Sequence, residues 1–125
     1  MRPKKTILCV DDNEQTLSVR KFLLETRGYR VFTAVNGQEA ISVFSSTQID
    51  LVVTDLGLPQ MDGNALIGHL KEISSEIPMI LTSDSVRAGE RTHRAADFRP
   101  ETFELTLCAS GTRGVMVEHA PRGAR

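Results

Sequence analysis

Short apolar runs alternate with helix-patterned stretches through the first 85 residues, and this alternation leaves few folds open. Thr6 to Val10, Tyr29 to Val35, Ile49 to Thr54 and Pro78 to Leu81 are strand-length, and three of them are almost continuously apolar. That is the pattern of strands covered on both faces. Between them, Leu17, Phe22, Leu23 and Leu24 recur at roughly helical spacing, with Arg20, Lys21 and Glu25 among them. Gln38 to Phe44 turns Ala40, Ile41 and Phe44 inward, and Asn64 to Ile73 carries Leu66, Ile67, Leu70 and Ile73 as its stripe. Gly28 is a natural helix stop and Asn36-Gly37 a turn. Strands separated by helices predict a parallel sheet with helices on both faces, and right-handed crossovers restrict its topology further. The fold class is therefore α/β, a doubly wound sheet.

Bulk properties narrow the class. A chain of 125 residues has room for one domain. With 40% hydrophobic and 25% charged residues it can build a core without staples. Disorder, collagen and a disulfide scaffold are all excluded. A net charge of −1 gives no general field for nucleic acid or an anionic membrane. Cys9 and Cys108 lack metal-ligand spacing and point only weakly to a reducing compartment. The basic start, Met1 to Lys5, precedes an apolar run of only four residues, Ile7 to Val10, which ends at Asp11. That run is too short for a signal peptide, and no segment approaches the roughly eighteen apolar residues of a membrane span. A cytoplasmic, soluble protein with no membrane or direct nucleic-acid partner is expected.

Chemistry-bearing residues fall at the ends of the predicted strands. Asp11 and Asp12 follow the first, Asp55 the third and Thr82 the fourth. In an open parallel sheet these carboxyl ends share one crevice. Any one of the aspartates alone fits a helix cap or a turn. Three acids and a hydroxyl converging from three strands do not. Crowded carboxylates need raised pKa values or a cation, and hard oxygen donors around an open crevice suit Mg²⁺.

On these residues the chain resembles the receiver domains of two-component response regulators, a flavodoxin-like family typified by CheY. The motifs are Cys9-Val10-Asp11-Asp12-Asn13, Gly28-Tyr29, Asn36-Gly37-Gln38-Glu39-Ala40, Asp50 through Gly63, and Pro78-Met79-Ile80-Leu81-Thr82. Asp55-Leu-Gly-Leu-Pro-Gln-Met-Asp-Gly63 is the most specific of them. Residues 5–85 form the matched core. The resemblance implies that Asp55 accepts a phosphoryl group from a histidine kinase or phosphotransfer protein. It implies that Asp12 binds Mg²⁺ directly, Asp11 largely through water, and the backbone carbonyl of Gly57 as a further ligand. Thr82 would be the switch hydroxyl that turns toward the new phosphoryl oxygens. Pro59 and Gly63 would shape the loop beside Asp55, while Gly57 would leave the phosphoryl group unshielded. The expected protein is a phosphoacceptor that signals to a downstream protein by conformational switching, not a turnover enzyme.

The remainder departs from the family pattern. Residues 86–125 contain seven arginines and no lysine, with a local balance of +2 against −3 before them. The family's lysine after its fifth strand has no counterpart beyond Lys71; Arg99-Pro100 is the nearest pair, and arginine does not replace an ammonium conservatively. Val86 to Ala96 reads as a polar helix, Phe103 to Leu107 and Gly114 to Val117 as strands, and 121–125 as a disordered tail. Residues 86–120 thus form a divergent completion of the domain, with an atypical last β-α unit. Two other functions compete: a pseudo-receiver acting as a phosphorylation-independent interaction module, and a Mg²⁺-dependent phosphatase. The second usually needs an acid two positions after its nucleophile, where this chain has Gly57.

Overall fold

The computed structural model describes residues 4–82 and 117–119. In chain order the elements are β1 (Thr6–Val10), α1 (Glu14–Thr26), β2 (Arg30–Ala34), α2 (Gly37–Ser46), β3 (Leu51–Asp55), α3 (Gly63–Ile73), β4 (Met79–Thr82) and β5 (Val117–His119). They form one sheet of order β2-β1-β3-β4-β5. This is the flavodoxin-like order, with its switch point between β1 and β3. The first four strands are parallel, as expected. β5 is the exception: it pairs antiparallel with β4, Leu81 opposite Val117 and Met79 opposite His119. Of the expected strand from Gly114 to Val117, only Val117 is among the described residues. The expected helix from Val86 to Ala96, the strand from Phe103 to Leu107 and the tail 121–125 lie outside them.

Strand alternation sends side chains to two separate cores. Ile7 and Cys9 of β1, Leu51 and Val53 of β3 and Ile80 of β4 pack with Leu17 and Leu24 of α1. Leu8, Val10, Val52, Met79 and Leu81 face the other way, onto Ala40 and Phe44 of α2 and Leu66, Ile67 and Leu70 of α3. Every residue of β1 and β4 is buried, which is why their sequences show no polar alternation.

The helices start where side chains can cap them. Asn13 accepts from the Thr16 amide, Asn36 from that of Glu39 and Asp62 from that of Ala65. Glu39 returns the favour by accepting from the Val35 amide at 2.8 Å. α1 ends in a Schellman arrangement: the Gly28 amide bonds the carbonyl of Glu25 and the Tyr29 amide that of Leu24. Gly28 has φ +94°, a conformation that a side chain opposes.

Helix faces differ from the sequence expectation at three places. Phe22 is 66% exposed and Ile73 is 49% exposed, whereas Arg20 is buried. In α1 the inward stripe is Leu17, Arg20 and Leu24, spaced three and four apart, and Phe22 falls on the opposite side. β3 also begins later than expected, because Asp50 is engaged elsewhere: its carboxylate accepts from the Thr6 amide at 2.8 Å. It ends one residue further on, so that Asp55 belongs to the strand.

The loop from Leu56 to Asp62 is tied back on itself. The Leu58 amide reaches the carbonyl of Leu56, and the Met61 amide that of Pro59 around Gln60, whose φ is +68°. Gly63 closes the loop, its amide bonding the Leu56 carbonyl at 2.8 Å. A Cβ there would strike the Asp55 carbonyl oxygen and would come 2.6 Å from Leu81 Cδ1.

Three glycine substitutions test these placements by thermal or urea unfolding. Gly28→Ala meets no atom but must hold the left-handed backbone, and should cost about 1 kcal/mol. Gly68→Ala, on the exposed side of α3 with open space around it, should stabilise by about 0.8 kcal/mol. Gly63→Ala should destabilise most, by about 1–3 kcal/mol, because backbone atoms rather than a flexible side chain must move.

Candidate functional site

Parallel register brings the sequence-predicted residues to one edge. Val10 pairs with Thr54, and Asp55 with Thr82. Asp11 extends β1 by one step, its amide bonding the Ala34 carbonyl at 3.1 Å. One carboxylate oxygen each from Asp11, Asp12 and Asp55 lie within 4.8 Å of one another. Asp11 is buried, Asp12 exposed and Asp55 half-buried, so the group grades from the sheet into solvent.

None of these acids is the cap of α1, because Asn13 holds that position. Asp11 Oδ1 instead accepts from the Asn13 amide at 2.9 Å, which fixes the carboxylate against the strand end. Burial raises the Asp11 pKa above its ordinary value, and the neighbouring Asp12 charge pushes the same way. The Asn13 amide and the Arg20 guanidinium pull against that rise without cancelling it.

Gly57 stands beside this group. A Cβ on it would lie 3.7 Å from Asp55 Oδ2, so the loop backbone itself borders the carboxylate. Thr82 is 1% exposed, and its hydroxyl donates to the Thr54 carbonyl at 3.5 Å, a long bond that is cheaply exchanged. All five residues expected from the sequence, Asp11, Asp12, Asp55, Gly57 and Thr82, thus meet at one edge of the sheet. The three carboxylate oxygens are the hard donors that Mg²⁺ prefers, and the group is exposed at Asp12.

Arg20 is a buried cation that was not expected from the sequence. In the sequence it stands among the polar residues between the apolar positions of α1, yet it is 1% exposed, with Nε and Nη1 sealed from solvent. Its position three residues after Leu17 and four before Leu24 was the available signal. Cys9, on the same side of the sheet, is a free buried thiol. Burial first, and the Asp11 charge after it, push its pKa up to about 11 against the pull of Arg20.

Comparison with known proteins agrees with this geometry. A family model described as response regulator receiver domain matches residues 7–99. The chain is 42% identical over 82 residues to a probable transcriptional regulator ycf27 of Cyanophora paradoxa, covering 62% of this chain and 32% of that protein. An uncharacterised 14.6 kDa protein of Leptolyngbya boryana is 36% identical over 87 residues, covering 68% of this chain and 66% of that one. The chain therefore spans about a third of the ycf27 regulator and about two thirds of the smaller relative. Among solved structures, chemotaxis protein CheY4 of Vibrio cholerae superposes with a TM-score of 0.69 at 23% identity, over 86% of this chain and 98% of that one. Response regulator TrrA of Thermotoga maritima, in complex with Mg²⁺ and BeF, gives 0.62 at 28% identity, over 84% and 80%. With the motif residues assembled at one sheet edge and the family model spanning most of the chain, this protein belongs to the response regulator receiver domains.

Proposed function

We propose that the chain is the phosphoryl acceptor of a two-component relay, taking the group on Asp55 from a histidine kinase or phosphotransfer protein. The observation that carries this reading is the set of three carboxylates within 4.8 Å at the sheet edge, with Thr82 opposite Asp55 in the β3–β4 register. An Asp55 carboxylate oxygen attacks phosphorus, and the P–N bond of the donor's phosphohistidine breaks. Its electron pair returns to the imidazole. The product is an aspartyl phosphate and a free histidine. The domain thereby receives one group and changes state, rather than turning over a substrate.

Asp11, Asp12, Asp55 and the Gly57 carbonyl would hold Mg²⁺ here. When bound, the ion would neutralise charge on the phosphoryl oxygens. The protein's own residues supply the remaining elements. Asp55 is half-buried at a strand end, so its oxygen is fixed yet reachable. Gly57 brings backbone rather than a side chain to its flank. Thr82 can exchange its 3.5 Å bond to Thr54 for a shorter, charge-assisted one to the phosphoryl group. A downstream protein reading this change, and a cytoplasmic place of action, complete the proposal. Among the described residues no helix is long and apolar enough to cross a membrane.

Purified protein treated with acetyl phosphate should gain the mass of one phosphoryl group in Mg²⁺ and none in EDTA. Asp55→Asn should abolish the gain while keeping the circular dichroism of the wild type. Labelling that survives in Asp55→Asn would place the acceptor elsewhere and sink this reading.

The raised pKa of Asp11 adds a pH dependence. Above that pKa the folded protein carries a buried charge that the unfolded chain hydrates freely, so ionised Asp11 destabilises the metal-free fold. The penalty lifts as pH falls through the folded-state pKa. In EDTA at neutral pH, Asp11→Asn should melt above the wild type, and the gap should narrow on acidification. In Mg²⁺ the order should reverse, because the wild type alone gains the full stabilisation by the ion.

A further inference from the structure

The end of the sheet opposite the acidic edge gathers the reverse charge. An open cavity of about 380 Å³ lies there, lined by Lys4 and Lys5 just before β1 and by Arg30 at the start of β2. Thr47 and Gln48, which follow α2, and the pair Thr6 and Asp50 complete it. Thr6 is paired with Arg30 in the β1–β2 register, and Asp50 stands one step before Leu51, the partner of Ile7. Arg30, Thr6 and Asp50 therefore stand side by side across three strands, on the face that carries Leu8 and Val52. Five steps of extended chain, from Thr6 to Asp11, separate this row from the acids by roughly 16 Å.

The polar groups of this cavity are not matched within the protein. Among the described residues, Lys4, Lys5 and Arg30 take part in no ion pair. The one carboxylate present is committed to backbone: Asp50 Oδ2 accepts from the Thr6 amide at 2.8 Å, and the Asp50 amide bonds the Thr6 carbonyl at 2.8 Å. Thr6 is only 7% exposed, yet among the described residues its hydroxyl has no hydrogen-bond partner. A buried hydroxyl left unbonded is costly, and cations gathered at one cavity repel one another. The Arg30 amide bonds the Lys5 carbonyl at 2.9 Å, so strand pairing fixes the backbone beneath two of the cations.

We propose that this cavity binds a small phosphorylated anion of the diphosphate class. Three unpaired cations call for two or more negative charges, which a diphosphate supplies and a single carboxylate does not. Arg30 offers a planar fork of donors, Lys4 and Lys5 offer compact charges, and Thr6 offers the unbonded hydroxyl. The volume falls in the range of small-molecule sites.

Calorimetric titration of the full chain with inorganic pyrophosphate and, separately, with adenosine diphosphate tests the site. EDTA is present throughout, so that the acidic edge cannot capture either probe through a metal, and salt is held near physiological strength. Saturable binding of one molecule per chain is expected. Binding of both probes would assign recognition to the diphosphate alone, and binding of adenosine diphosphate only would add the nucleoside to what is recognised. Saturation by neither would overturn the proposal. Arg30→Gln, at an exposed position that leaves the fold intact, should weaken binding about tenfold or more. Lys21→Gln removes an exposed cation of α1 outside the cavity and should change it less than about twofold. Equal losses from the two variants would mean attraction to net charge only and would overturn the site. Thr6→Val keeps the side chain's bulk and removes the hydroxyl. It should weaken binding about threefold or more while leaving the urea midpoint of the free protein no lower. Wild-type affinity in a folded Thr6→Val would place the anion elsewhere and count against the proposal.

Discussion

Three carboxylates held within 4.8 Å are the constraint around which this fold is arranged. Left alone they would drive the sheet edge apart, so the structure that holds them must be stiff. Parallel pairing supplies that stiffness: β1, β3 and β4 are locked in register by backbone bonds, and their side chains are buried on both faces. The closeness of the three carboxylates is therefore set by the sheet and not relaxed by movement. Asp11 shows the cost most clearly, since burial and Asp12 both disfavour its ionised form.

Much of this was legible in the sequence. Continuous apolar runs identified the parallel strands because burial on both faces leaves no polar alternation to read. The site residues were legible because each stands immediately after, or at the end of, such a run. Helix faces were harder. Phe22 was expected inside on hydrophobicity and is 66% exposed, while Arg20, three residues from Leu17, is buried. Residue type outweighed position in that reading, and position was the better guide. The orientation of β5 was not legible at all, since a short apolar run carries no direction and the antiparallel pairing is set by β4 beside it.

The strand boundaries carry a related lesson. Ile49 and Asp50 looked like the start of β3, but Asp50 spends its carboxylate on the Thr6 amide and so fixes the approach of β3 to β1. Asp55 looked like the residue after the strand and is its last member. Side-chain bonds to a neighbouring strand's backbone have no signature in periodicity. Such boundaries shift by one or two residues for reasons that only the assembled sheet contains.

The contact between Gly63 and the end of β3 has a mechanical consequence. With no side chain at Gly63, the first turn of α3 lies directly against the carbonyl of Asp55, and the Leu56 carbonyl clamps the Gly63 amide. The intervening loop is thus short-circuited: two points seven residues apart along the chain are joined almost backbone to backbone. A displacement of Asp55 is passed to α3 as through a strut, with little slack for the loop to absorb. α3 is in that sense anchored to the strand end that carries Asp55.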